Sequence, residues 1–300
     1  MKSFTIVGLG EVLWDFLPGG KQLGGAPANF AYIAGLLGDR AIVASRVGRD
    51  ELGDEAVAKL TKLGPTTSYL QHDPVHPTGT VKVGVDTQGQ PRFEIAEPAA
   101  WDFLEWTPEW RALAREADAI CFGSLAQRST QSLESIHKFL LGKRADGVAI
   151  FDVNLRQQFY GAEVLLQSLK RADVVKMNDE ELPRVMGLLG LPYHDEVLSA
   201  TRLRGAYGLK LLCVTRGCRG SLLVDEGGTN EHPGFRITVA DTVGAGDAFT
   251  AGLVHQYLRG SSLAEMNEAA NRAGAWVASH AGGTPAAGKQ GLQELLAQIA

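Results

Sequence analysis

The densest chemistry in this sequence lies in nine consecutive residues, DTVGAGDAF, running from Asp241 to Phe249. An alternating apolar run, Ile237 and Val239, precedes them as a strand, and Phe249, Leu253, Val254, Tyr257 and Leu258 follow at helical spacing. A strand, a glycine turn and a helix start together aim unpaired backbone N–H groups and the positive end of a helix dipole at one point. Such a point binds anions. Gly244 and Gly246 carry no side chain to hold a phosphate off the backbone, and Asp247 beside them is a carboxylate able to accept a hydroxyl proton. A lone GAG reads as a turn with its Asp as a helix cap; nine residues in this setting read as a phosphate site.

Other segments carry both a structural and a chemical reading. GGAPANFA, from Gly24, reads as a turn with Pro27 in the first turn of a helix, and Asp50 of VGRDELG reads as a helix cap. MNDEE, Met177 to Glu181, ends a strand and opens a helix, and the spacing of Asn178 and Glu181 is that of a capping box. DVNLR, Asp152 to Arg156, stands at the end of a strand, where ligands bind in α/β sheets, although Arg156 by itself also reads as a surface residue. VTRGCRGS, Val214 to Ser221, lies between two strand-like runs and reads as a hairpin turn. Two look-alikes fail. GTPAAGKQ, Gly283 to Gln290, lacks the Ser or Thr that a Walker loop needs after Lys289, and Gly8 and Gly10 lack the third glycine of a dinucleotide fingerprint.

These segments need elements to carry them. Apolar runs of strand length recur at Phe4 to Leu9, Ala41 to Val47, Ala119 to Phe122, Val148 to Phe151, Val174 to Met177 and Leu211 to Val214. Helical patterns alternate with them: Phe30, Ile33, Ala34 and Leu37 stop at Gly38, Ala56, Lys59, Leu60 and Leu63 at Gly64, and Leu133, Ile136, His137 and Leu140 at Gly142. The alternation predicts an α/β fold with a mostly parallel sheet covered on both faces. Val81, Val83 and Val85, a turn at Asp86 to Gly89, and Arg92 to Ile95 predict a hairpin, joined by a strand or two from Glu11 to Gly20. They form a small β lid of residues 11–20 and 78–102, the main domain taking 1–10, 21–77 and 103–300. A hairpin with one apolar face needs a ligand or a second subunit to cover it, so a homodimer through the lid is expected.

Composition removes whole classes of function. The chain has 300 residues, 29 basic and 34 acidic, a net charge of −5, and no block of five like charges. No nucleic-acid or anionic-membrane surface is expected, and the partner is a small molecule. Three cysteines without CxxC spacing give neither a disulfide framework nor a zinc site. The N-terminal apolar run is cut off by Glu11 and Asp15, too short for a signal peptide, and no uncharged stretch is long enough to span a membrane. A cytoplasmic protein is expected. Glycine stands out, with 36 residues in 300 against about 7% on average, which calls for tight turns and close backbone approaches.

With these segments together, the chain resembles the PfkB family of carbohydrate kinases, and GEVLWDFLP, GGAPANFA and GSLAQR, Gly123 to Arg128, are most similar to its fructokinases. The resemblance runs from Gly8 to about Gly283. It implies a ribokinase-like three-layer sandwich with a small β-sheet lid. It implies that Asp247 is the catalytic base, that Gly244, Ala245 and Gly246 form the anion hole for the transferred phosphoryl group, and that Arg156 assists. Asp15, Gly25, Asn29 and Asn154 would contact the sugar. Thr215, Gly217, Gly220 and Asn271 would line ATP. Asn178 and Glu181 match an NxxE motif that positions Mg²⁺ through water, and Asp241, Val243 and Gly283 would hold K⁺ through backbone carbonyls. The implied activity is ATP-dependent phosphorylation of a primary hydroxyl, O6 of fructose being favoured. Ribose, a nucleoside or an acidic sugar such as ketodeoxygluconate are the alternative acceptors. Between Val83 and Asp102 the one basic residue is Arg92, which weighs against the acidic sugar. A sugar or nucleotide sensor without turnover would have lost the base or the glycine turn, and both are present.

Overall fold

The computed structural model describes residues 2–17, 19–85 and 91–287, with the backbone alone at 83–85 and 91–93. The expected turn at Asp86 to Gly89 and the residues around Lys289 lie outside the described residues. Along the chain come β1 (Thr5–Leu9), β2 (Leu13–Leu17), β3 (Gly20–Gly24), α1 (Ala26–Leu36), β4 (Arg40–Gly48), α2 (Glu51–Leu63), β5 (Leu70–Asp73), β6 (Gly79–Val85) and β7 (Pro91–Ile95). Next are α3 (Pro108–Glu116), β8 (Ala119–Gly123), α4 (Thr130–Leu141), β9 (Val148–Asp152), α5 (Ala162–Leu169), β10 (Val174–Asn178), α6 (Glu181–Leu188) and α7 (Glu196–Tyr207). The described chain ends with β11 (Leu211–Thr215), β12 (Ser221–Val224), β13 (Thr229–His232), α8 (Ala245–Tyr257) and α9 (Leu263–Ala278).

The large sheet has the order β13-β12-β11-β10-β9-β8-β1-β4-β5 and is parallel from β11 to β5, with β12 and β13 antiparallel at one edge. Its central strands are apolar throughout because both faces are covered. Successive residues point to opposite layers. Ile6 and Ile150 enter a core built with Phe30, Leu60, Leu253 and Trp276 of α1, α2, α8 and α9. Val7 and Phe151 enter a second core with Trp110, Phe139, Leu165, Val185 and Leu203 of α3 to α7. The strand order reverses at β1, which has β4 on one side and β8 on the other, and the crevice outside such a reversal is where open α/β sheets bind ligands.

The small sheet has the order β3-β2-β6-β7. The expected first lid segment stops at residue 20, whereas β3, Gly20–Gly24, also pairs into this sheet, antiparallel to β2. Its short, polar, glycine-flanked sequence shows no alternation to mark it as a strand. Residues beyond Ile95 turn back to the main body, and Trp101 is fully buried in the second core. In register, Asp15 stands beside Gln22 of β3 and Val81 of β6, so one face of the sheet carries Leu13, Asp15, Val81 and Ile95.

The strand expected at Ile237 and Val239 does not form. Pro233 follows β13, Val239 is exposed, and Ala240 and Asp241 donate their backbone N–H groups to the Ala278 carbonyl at the end of α9. The segment runs across the helix end instead of joining the sheet. Asp50 caps α2 as expected, accepting from Gly53 N at 2.8 Å, and it also takes both Thr78 N at 2.8 Å and Thr78 Oγ1 at 2.6 Å. It therefore ties the cap of α2 to the chain entering β6. Asp50→Ala removes the cap and the anchor together and is expected to cost about 2–3 kcal/mol in urea unfolding at pH 7; a loss below about 0.5 kcal/mol would show that neither matters.

Candidate functional site

The N-terminus of α8 lies against the chain just past α9. Gly244 caps it at φ 75°, a conformation that favours glycine, and a side chain there would also strike Gly283, whose Cα lies 2.5 Å from the Cβ position. Gly283 in turn would meet Asn29 of α1 at 2.8 Å if it carried a Cβ. Asn29 donates its Nδ2 to Asp247 Oδ2 at 2.8 Å. Three segments distant in sequence thus meet at the first turn of α8, with Gly244, Ala245, Gly246 and Asp247 forming that turn. Asp241 closes the other side, accepting from Val243 N at 3.0 Å and from Gly282 N at 3.0 Å, so Asp241, Val243 and Gly283 share one loop pair.

The residues expected to contact the sugar gather next to it. Gly25 caps α1 at φ 107°, and a side chain there would press on the Glu11 carbonyl at 2.5 Å. The Asp15 carboxylate covers Gly24, and Gln22 reaches Gly282. Asn154 sits at the end of β9 with φ 42°, a region Asn tolerates better than most residues, and its carbonyl accepts from Ser124 Oγ at 3.3 Å. Arg156 is exposed at the rim and donates to the Leu155 carbonyl at 3.3 Å.

Three carboxyl groups here have raised pKa values. Burial lifts Asp247 to about 6; Asp152 raises it further, while the Asn29 hydrogen bond, Lys176 and Arg156 pull it back. Burial lifts Asp15 to about 6, opposed by Arg156. Burial lifts Glu11 to about 7, against hydrogen bonds from its own and the Ala26 backbone N–H, and the Asp247 charge adds to the rise. Arg156 is the one cation acting on all three. Glu11 Oε2 and Asn29 Oδ1 are buried without a partner, so the site presents acceptors for a ligand rich in hydroxyl donors.

Among the residues expected to line ATP the arrangement is more constrained. Asn178 Oδ1 accepts from Glu180 N and Glu181 N, and Glu181 accepts from Asn178 N at Oε2 and from Leu155 N at Oε1, a reciprocal cap of the kind the spacing predicts. Thr215 Oγ1 lies 3.4 Å from the Met177 carbonyl. Gly217 and Gly220 shape the hairpin between β11 and β12, where a side chain on Gly220 would overlap the His232 carbonyl. Asn271 is buried, and its Nδ2 is spent on Ser221 Oγ at 2.7 Å and on Asn267. Among the described residues no group of three or more His, Cys, Asp or Glu could hold a metal, and no helix is long and apolar enough to cross a membrane. A groove of about 840 Å³ between α1, α2 and β2, lined by Trp14, Tyr32, Lys59 and Ala287, shares none of these site residues.

Residues not singled out in the sequence lie beneath Asp247. Lys176 of β10 reaches Asp152 of β9 at 3.0 and 3.2 Å, and Thr250 of α8 donates to Asp152 at 2.9 Å. The available signal was Lys176 itself, a charge inside the otherwise apolar run VVKM. Arg128, the last residue of GSLAQR, turns inward to pair with Asp102 at 2.7 and 2.8 Å and donates to the Ala96 carbonyl at 2.7 Å.

The class of protein follows. Residues 19–289 match the pfkB family carbohydrate kinase profile, and the chain belongs to that family. A fructokinase of Escherichia coli is 34% identical over 260 residues, covering 82% of each chain. The structure of a fructokinase from Xylella fastidiosa with bound ATP shares the fold, with a TM-score of 0.82 and 24% identity over 93% of this chain and 94% of the other. A putative ribokinase II from E. coli matches with a TM-score of 0.81 and 20% identity over 98% of both chains. The fold is ribokinase-like.

The raised carboxyls have a consequence for stability. A carboxyl with a folded pKa above its unfolded value binds its proton more tightly when folded, so stability falls as pH rises from about 4 through 6. Asp247→Asn keeps the Asn29 hydrogen bond without the charge, so it is expected to raise the Tm at pH 8, with the gain vanishing near pH 4. An unchanged Tm at pH 8 would mean the site carries no such strain.

Proposed function

We propose that this chain is an ATP-dependent kinase that transfers the γ-phosphoryl group to O6 of fructose. One observation carries the reading: a partly buried carboxyl, Asp247, pushed up to about 6 and held by Asn29 at the positive end of α8. A base with a pKa near working pH at a helix N-terminus is what alcohol phosphorylation asks for. The E. coli relative bearing the name fructokinase supports the acceptor.

In this mechanism the sugar lies between Asp15, Gly25, Asn29 and Asn154, its hydroxyls donating to the unpartnered oxygens of Asn29 and Glu11. The acceptor O–P bond forms as the bond from the γ-phosphorus to the bridging oxygen breaks, and ADP leaves. The hydroxyl proton passes to Asp247. The amides of Gly244, Ala245, Gly246 and Asp247 and the Arg156 guanidinium stabilise the charge on the phosphoryl oxygens. ATP lies along Thr215, Gly217, Gly220 and the region of Asn271. Mg²⁺ bound with the nucleotide would neutralise phosphate charge, and Asn178 and Glu181, whose oxygens already accept from backbone N–H groups, would hold it through water. K⁺ would sit on the carbonyls near Asp241, Val243 and Gly283.

The acceptor is neutral on this reading. Positive charge reaches the 96–102 segment from Arg128, but Asp102 neutralises it, and three carboxyls would repel an acidic sugar. The small sheet acts as the lid over the sugar and as the contact of a homodimer, supported by exposed Phe16 on β2. Free cysteines fit a cytoplasmic enzyme.

With ATP and Mg²⁺, ADP release is expected to be fastest with fructose in a panel that includes ribose, ketodeoxygluconate, glucose and adenosine; a different winning acceptor would overturn the specificity. Asp247→Asn is expected to cut kcat by on the order of 10² to 10⁴, and wild-type kcat/KM should fall as pH drops through about 6. Near-wild-type turnover by the variant would remove Asp247 from the mechanism.

A further inference from the structure

Lys176 is an expensive residue. It stands inside an apolar strand, 7% exposed, directly opposite Asp152, itself 4% exposed, in the parallel register of β9 and β10. A buried lysine and aspartate pair gives little or no stability over well-packed apolar residues, so stability does not explain it. Its position does. The ammonium holds both Asp152 oxygens, and Asp152 also accepts from Thr250, whose Oγ1 is 3.0 Å from the Gly246 carbonyl. A Cβ placed on Gly246 would sit 3.0 Å from Lys176 Nζ, so the ammonium lies directly under the turn that carries Asp247.

We propose that Lys176 is a positioning residue for phosphoryl transfer, its buried ammonium fixing the Gly244 to Asp247 turn against β9 and β10 and holding positive charge beneath it. The inference rests on the kinase reading of this site. Lys176 touches no substrate; it acts through Gly246 and Asp247. The charged groups facing Asp247 are Asp152 from β9, Lys176 from β10, Arg156 from the loop beyond β9 and Glu11 from the segment after β1. Lys176 and Arg156 are the two cations among them, so loss of Lys176 leaves Asp247 harder to ionise.

The test uses the full-length enzyme with ATP, Mg²⁺ and its best acceptor. Lys176→Met is expected to lower kcat roughly 10- to 100-fold, as for other residues that act through a neighbour, with both KM values little changed and the acid limb of kcat/KM moved to higher pH. Because that variant strands the Asp152 charge, Lys176→Met/Asp152→Asn is measured beside it. The double variant is expected to recover the wild-type Tm without recovering kcat. Recovery of kcat together with Tm, or an acid limb that stays in place in Lys176→Met, would overturn the proposal and leave Lys176 a structural residue. A wild-type enzyme that phosphorylates none of the acceptors would overturn the kinase reading, and this inference with it.

Discussion

The site depends on how closely the first turn of α8 approaches the carboxyl ends of the central strands. That approach is permitted by missing side chains: Gly244 lies on Gly283, Gly283 on Asn29, and Gly246 over Lys176. It has two effects at once. The amides of the turn are left without intrahelical partners, while burial of Asp247 raises its pKa. An added methyl group at any of these glycines would open the contact and restore water to the carboxyl.

The electrostatics are a near balance held in a half-buried crevice. Glu11, Asp15 and Asp247 all resist ionisation, and each is destabilised chiefly by burial, not by a neighbour's charge. Arg156 at the rim and Lys176 at the floor limit the rise. A crevice with unpartnered acceptor oxygens and raised carboxyls suits a ligand that brings hydroxyl donors and no negative charge of its own. On the proposed mechanism, the stability lost by keeping Asp247 desolvated is the counterpart of its service as a base near neutral pH.

Much of this was legible in the sequence, for reasons that can be stated. Runs such as Val148 to Phe151 are apolar on both alternating faces, which marks a doubly covered strand, and helix ends at Gly64 and Asp50 follow from capping chemistry. DTVGAGDAF announced the glycine turn and the start of α8 because both are local features. The alternation at Ile237 and Val239 misled because two residues do not make a strand once Pro233 and the end of α9 take the segment elsewhere. Long-range pairings were not legible. Lys176 meets Asp152 across 24 residues, and Arg128 meets Asp102 across 26, by way of strand register and loop course that no window of sequence contains.

The central claim is that an acceptor hydroxyl lies between Asp247 and a phosphoryl group held by the α8 amides. A crystal structure of the complex with fructose and a non-hydrolysable ATP analogue tests it most directly. The account predicts O6 within hydrogen-bond distance of the Asp247 carboxylate, about 2.6–3.2 Å, and the γ-phosphate facing the amides of Gly244 to Asp247. Fructose bound with no hydroxyl near Asp247, or a γ-phosphate held away from that turn, would contradict it.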